Sequence, residues 1–209
     1  MSKTEIPQWL KWAREIQQLS QTGLAFAVTK YEKQRYEQLI RLTAEIIEHH
    51  TQLGKETVET VLMKQPGYAT PKIDVRAAVI KDEKILLVQE RTDKRWAMPG
   101  GWADVGDIPS NVAIRETKEE SGYDVKPVKV IGVFDANRSG GHLELFHAFK
   151  IIFLCEFVGG KAKTSDETMD VSFYSFESLP PLSQNRTNNN HIKEIIAHLK
   201  DPSRAAYFD

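Results

Sequence analysis

The segment Gly101 to Tyr123, GWADVGDIPSNVAIRETKEESGY, leaves few local folds open: a glycine turn runs into a short helix that closes on another glycine. Gly100, Gly101 and Gly106 permit tight backbone with positive φ, and Pro99 ahead of them favours a turn. Pro109 suits a first helical turn, where its missing N–H would have had no partner anyway. Gly122 stands where a left-handed cap would end the helix. Val112 and Ala113 offer an apolar face, which leaves Glu116, Glu119 and Glu120 to the opposite side. Positions i, i+3 and i+4 of a helix lie within about 100° of arc, so the three carboxylates share one face. Like charges so placed repel and raise one another's pKa, and folding alone does not call for them. A divalent cation removes the penalty. Hard oxygen ligands with room for water and phosphate suit Mg²⁺, so the stripe reads as a metal platform acting on a phosphate ester or anhydride.

Counting from Gly101, five residues lead to Asp107 and seven more to Arg115, followed by Glu116, Thr117, Lys118, Glu119, Glu120, Ser121, Gly122 and Tyr123. This resembles the Nudix box, GX5EX7REUXEEXGU. A chance match is on the order of one in a million for ordinary residue frequencies, which sets aside a merely solvated acidic face. Asp107 departs from the family's Glu, and Thr117 from its aliphatic residue. The resemblance implies that Asp107 pairs with Arg115 through a shorter side chain, directly or over a water, and that the carbonyl of Gly100 approaches the metal. It also implies a catalytic base drawn from the box or from a downstream loop, where Glu167 in SDETMD is the candidate, with Asp166 and Asp170 as competitors.

Within the box, Glu116 and Glu120 lie one turn apart on the same edge and are the expected Mg²⁺ ligands, with Mn²⁺ as the alternative ion. Glu119 would coordinate a further ion or hold a metal-bound water. Arg115 points about 100° away from Glu116 and is expected to orient Asp107 rather than touch substrate. Arg76 and Arg91, on or at the end of expected strands, are candidates to hold phosphate. Trp96 and Trp102 bracket the PGG turn; Trp96 is read as a buried support and Trp102 as a surface on which a base could stack. His142 and His147 show no ligand spacing and are read as loop or core residues.

Before residue 65 the periodicity is helical: Trp9, Trp12, Ala13, Ile16 and Leu19 form one stripe. Tyr36, Leu39, Ile40, Ile46 and Ile47 form a second, and Val58, Val61 and Leu62 a third. After the breakers of GYATP the texture is mixed, with strands expected over 74–80 and 85–91 around the turn KDEK, and further β-rich runs in 143–158 and 171–175. Asn189 or Asn190 is expected to cap a last helix that buries Ile192, Ile195, Ile196 and Leu199. The domain plan is therefore 1–66 helical, 67–71 linker and 72–209 catalytic. With 209 residues, 41% apolar, the chain is long enough for one or two cores. No apolar run approaches a membrane span and the N-terminus is not signal-like, so no membrane partner and a cytoplasmic location are expected. Cys155, in an apolar run, is expected in the core.

A small helical domain ahead of RWAMPGGWADVGD looks like the two-domain Nudix group of Gram-positive bacteria, associated with CDP-choline pyrophosphatase activity. That resemblance implies an α+β fold, a Nudix α/β/α sandwich with a mixed sheet, preceded by an all-α domain. It also implies cleavage of a nucleoside diphosphate-linked small molecule, CDP-choline to CMP and phosphocholine. ADP-ribose or a nucleotide sugar, trimming of single-stranded RNA, and a non-catalytic nucleotide sensor are the alternatives. Three amphipathic stripes in so small a domain point to a homodimer.

Overall fold

The computed structural model describes residues 6–65, 67–138 and 147–209; His142 and the start of the expected 143–158 run lie outside them. Two compact units adjoin between Pro71 and Lys72.

The first unit holds three helices, α1 (Gln8–Phe26), α2 (Lys30–His50) and α3 (Lys55–Met63). Thr29 starts α2 through a reciprocal capping box with Glu32, satisfying two N-terminal donors at once. The expected stripe on α1 is rotated in the structure. Leu10, Ala13, Ser20 and Gln21 face inward, whereas Trp12 and Leu19 are 57% and 63% exposed. The amide of Gln21 donates to the carbonyl of Leu62 at 2.8 Å, so a polar tie and small residues define the packed face rather than the largest apolar side chains. On α2 Ile40, Ala44 and Ile47 are buried and Leu39 is exposed; on α3 Val58 and Leu62 are buried.

The second unit is built on a mixed sheet of β1 (Lys72–Lys81), β2 (Lys84–Glu90), β3 (Trp96–Ala97), β4 (Gly100–Trp102), β5 (Tyr123–Asp135), β6 (Ala148–Gly160), β7 (Thr168–Ser175) and β8 (Tyr207–Phe208). The main order is β3-β2-β1-β6-β5-β8, with β4 on β1 and β7 on β2. β1 runs parallel to β6 and antiparallel to β2. The KDEK turn is a two-residue hairpin in which Asp82 and Glu83 both take positive φ, 49° and 58°, as the twist of such a turn demands. Helices α4 (Pro109–Ser121) and α5 (Asn189–Lys200) cover opposite faces. Because side chains alternate along a strand, Val75, Ala77 and Val79 pack with Val112 and Ala113 of α4, while Ala78, Ile85 and Leu87 pack with Ile192 and Ile195 of α5. The fold is α+β, a sandwich of helix, mixed sheet and helix after an all-helical segment.

Three local differences from the sequence expectation have physical causes. β5 carries Pro127 and Gly132, which read as breakers; the strand tolerates them through register shifts at Pro127/Lys129 and Val130/Gly132. Asn188, not Asn189 or Asn190, caps α5, its side chain accepting from the backbone N–H groups of Asn190 and His191. The buried face of α5 then includes His191, Glu194 and His198, leaving Leu199 exposed. Cys155 is buried as expected, and burial pushes its thiol up to about 12. No described helix is long and apolar enough to cross a membrane.

Candidate active site

The Gly-Gly turn is fastened to the core before the acidic helix begins. β4 pairs antiparallel with β1, setting Gly100 opposite Arg76 and Gly101 opposite Val75. Gly100 has φ 146°, and a Cβ there would stand 2.0 Å from the carbonyl oxygen of Val75, so no other residue fits the approach. α4 opens with Pro109 in its first turn and ends on Gly122 at φ 75°, its N–H bonded to the carbonyl of Lys118. Thr117, where the box prefers an aliphatic residue, is buried and donates its hydroxyl to the carbonyl of Ala113 at 2.7 Å, so it enters the core with its polar group satisfied.

Along α4 the three glutamates have different surroundings. Glu120 is only 6% exposed, and its carboxylate accepts the N–H of Gly100 at 3.0 Å. Burial pushes its pKa up to about 8, with Glu90 and Glu116 adding to the rise and Arg76 and the Gly100 N–H opposing it. Glu116 is half-buried and is likewise raised, chiefly by burial. Its carboxylate lies against Gly101, where a Cβ would come within 3.1 Å. Glu119 is exposed.

Arg115 corrects the expectation that it turns away from Glu116. Its guanidinium reaches Glu116 at 2.8 Å, Glu119 at 3.4 Å and Asp107 at 3.4 Å. The long side chain can curl over the helix surface, so angular separation at the backbone does not decide where its head lies. The contact with Asp107 is direct, and Asp107 also accepts the N–H of Asp104 at 3.0 Å.

An open cleft of about 470 Å³ is lined by Gly100, Gly101, Trp102, Asp104, Arg115, Glu116, Glu119, Glu120, Ser165, Asp166 and Glu167. Thus the box, the turn and the downstream loop meet in one place. Trp102 is 46% exposed there, whereas Trp96 is buried edge-on against Tyr174. His147 lies beside Asp135 at 3.4 Å, away from this lining.

The two arginines expected to hold phosphate sit elsewhere. Arg76 is buried: its Nε donates to Asp74 at 2.8 Å and its Nη1 to the carbonyl of Met98 at 3.2 Å. Asp74 also pairs with the buried Lys150, and these two cations outweigh burial to hold its carboxyl below the usual range. Arg76 therefore bears on the cleft through its field, which opposes the rise in the pKa of both Glu120 and Glu116. Arg91 turns to the carbonyls of Asp166 and Thr168 instead of the cleft.

Sequence reading passed over Glu90 and Thr168. Glu90 ends β2, is buried, pairs with Arg186 at 3.1 Å, and is raised chiefly by burial. Its signal was a carboxylate closing the apolar run ILLVQE. Thr168 donates its hydroxyl to the carbonyl of Glu120 at 2.9 Å, joining the loop to the end of α4; an isolated Thr gives no sign of such a partner.

The groups lining the acidic side of the cleft that can ligate a metal are oxygens, the chemistry that hard divalent cations select, and the desolvated carboxylate of Glu120 is a group that such a charge would stabilise. Donor type and burial fit a divalent ion held by Glu116, Glu119, Glu120 and the carbonyl of Gly100. Among the described residues no three acidic, imidazole or thiolate groups stand together at ligating distance, and Glu116 and Glu119 pair with Arg115.

Residues 70–199 match the family model described as the NUDIX domain, and residues 7–62 match one described as a UDP-X-like, N-terminal oligomerisation domain. A Bacillus subtilis protein named as a candidate ADP-ribose pyrophosphatase is 35% identical over 202 residues, covering 97% of each chain. The crystal structure of a UDP-X diphosphatase is 32% identical with a TM-score of 0.63, covering 96% of this chain and 98% of its own. An ADP-ribose pyrophosphatase from Streptococcus suis is 33% identical with a TM-score of 0.61, covering 67% of this chain and all of its own, 100%.

Proposed function

This chain belongs to the Nudix hydrolase family, and from that premise we propose that it is a Mg²⁺-dependent pyrophosphatase that splits a nucleoside diphosphate from within its anhydride, releasing a nucleoside monophosphate and the phosphorylated second group. The observation that carries this reading is the meeting of Glu116, Glu119, Glu120 and Glu167 around one cleft whose wall is the Gly-Gly turn. When bound, Mg²⁺ supplies a water of lowered pKa and neutralises charge on the phosphate. Glu116 and Glu120 would hold the ion, with Glu119 and the carbonyl of Gly100 as further oxygen ligands. Arg115 keeps Glu116, Glu119 and Asp107 in one ion-paired group. Glu167 takes the proton of the attacking water as the phosphorus–oxygen bond to the leaving phosphate breaks. Trp102 offers a half-exposed ring to the base or the second group.

ADP-ribose is the first substrate to test, since two of the similar proteins reported above carry that name, with UDP-linked compounds next for the UDP-X diphosphatase; CDP-choline, to which the motif pattern pointed, stands beside them. A Mg²⁺ assay over ADP-ribose, UDP-sugars, CDP-alcohols, dinucleotides and short RNA, with products resolved, is expected to show monophosphate release from one of the diphosphate-linked compounds. Cleavage of RNA alone, or no turnover with any of them, would refute the reading.

Residues 1–66, whose described part holds α1 to α3, serve as an oligomerisation domain, 67–71 as a linker and 72–209 as the catalytic domain. Support comes from the matched range 7–62 and from the exposed Trp12, Leu19, Tyr31 and Leu42. A homodimer is expected in sedimentation at micromolar concentration, and a monomer there would count against this role.

A further inference from the structure

Arg91 makes an arrangement that the reaction as described does not use. It follows directly on β2, as Glu167 directly precedes β7, and these strands pair antiparallel. Its backbone N–H donates to the carbonyl of Glu167 at 2.9 Å, its Nε to that of Asp166 at 2.8 Å, and its Nη2 to that of Thr168 at 3.4 Å. One residue thus engages three consecutive carbonyls of the loop that carries Glu167. The same loop is tied on its other side to the acidic helix, through the Thr168 hydroxyl on the carbonyl of Glu120 and through the N–H of Lys163 on the carbonyl of Ser121. Ser165 braces it from within, its hydroxyl accepting the N–H of Glu167 at 3.2 Å. The Glu167 side chain is exposed on the cleft wall, so its placement follows that of its backbone. A planar guanidinium, with donors at fixed angles, is suited to hold two carbonyls two residues apart; a lysine ammonium, a compact charge on a flexible stem, does not fix that geometry.

We infer that Arg91 is a positioning residue: it clamps the backbone of Asp166, Glu167 and Thr168 so that the Glu167 carboxylate stands across the cleft from the acidic helix, and it does not touch substrate. This rests on Glu167 being the base. Positioning acts on the reacting geometry and not on ground-state binding, so its loss falls on kcat.

The test is a double-mutant cycle with the best substrate of the panel and saturating Mg²⁺. Arg91→Ala keeps the backbone bond to Glu167 and loses both guanidinium bonds. It is expected to lower kcat about tenfold, a fraction of the ~100-fold or more that a base contributes, with KM changed less than about twofold. In a Glu167→Gln background, Arg91→Ala is expected to lower kcat less than about twofold further, because the group it positions has already lost its function. If Arg91→Ala does not fold, Arg91→Lys carries the same comparison with the same expectations of direction. A rise in KM at unchanged kcat would make Arg91 a phosphate contact and overturn the clamp. So would losses that multiply fully in the double variant. Wild-type turnover in Glu167→Gln alone refutes the base assignment, and the clamp with it; a large loss there with multiplying effects refutes the clamp only.

Discussion

Replacing Glu120 by Gln in chelator-treated protein should make the chain more stable at alkaline pH while abolishing turnover. Glu120 is buried with the N–H of Gly100 on its carboxylate, and burial raises its pKa from 4.5 to about 8. Between those values the folded chain keeps a proton that the unfolded chain has released. Stability therefore falls as pH rises from about 4.5 and levels off beyond about 8. At ~1.4 kcal/mol per pH unit of displacement, the loss is about 3 kcal/mol by pH 7 and about 5 kcal/mol above pH 8, with nothing subtracted for solvent because the group is largely out of water. Gln has the shape of the protonated acid, can still accept the Gly100 N–H, and never ionises, so it escapes this loss. Urea unfolding with EDTA at pH 5, 7 and 9 should show variant and wild type nearly equal at pH 5 and diverging as calculated by pH 9. Mg²⁺ should then stabilise the wild type far more than the variant, while kcat of the variant drops at least about 100-fold. Parallel stability profiles across that range would refute the reasoning, because they would mean that the carboxylate is solvated and not positioned to be relieved by a cation.

Three further substitutions probe how the cleft is built. Gly100→Ala puts a Cβ 2.0 Å from the Val75 carbonyl oxygen at φ 146°, and should cost about 3 kcal/mol or more, seen as a lowered melting temperature or loss of soluble protein. Asp74→Asn leaves the buried Arg76 and Lys150 without their shared anion and should cost about 3 to 5 kcal/mol in urea unfolding. Thr168→Val, equal in shape, removes the hydroxyl from the carbonyl of Glu120 and from the N–H of Ser165; about 1 to 3 kcal/mol of stability should go, with a fall in kcat as the loop loses its tie to α4.

The features of the turn and of α4 that sequence reading located share one property: their placement follows from local geometry. Helix periodicity set Glu116, Glu119 and Glu120 close together, Pro109 and Gly122 marked the ends of α4, and the positive φ of Gly100 suited the turn. Where reading went astray, partners distant in the chain decided. Arg76 and Arg91 carry the charge that phosphate requires, but Asp74, Met98 and the loop carbonyls of Asp166 and Thr168 hold their guanidinium groups. On α1 the tie from Gln21 to Leu62 turned the packed face away from Trp12 and Leu19. β5 was hidden because a bulged strand breaks the period-two pattern that makes strands visible.

The amino-acid order by itself determined the α+β plan, the glycine turn, the acidic helix and the family to which it belongs, since these depend on spacings of three to eight residues and on backbone preferences that each residue carries with it. Tertiary structure alone decided which of three similar glutamates is buried, where the arginines are spent, and that Glu167 faces the box from a loop some fifty residues away. Those outcomes depend on desolvation and on partners brought together by the sheet, quantities that exist only once β1, β2, β4 and β7 have been laid side by side around α4.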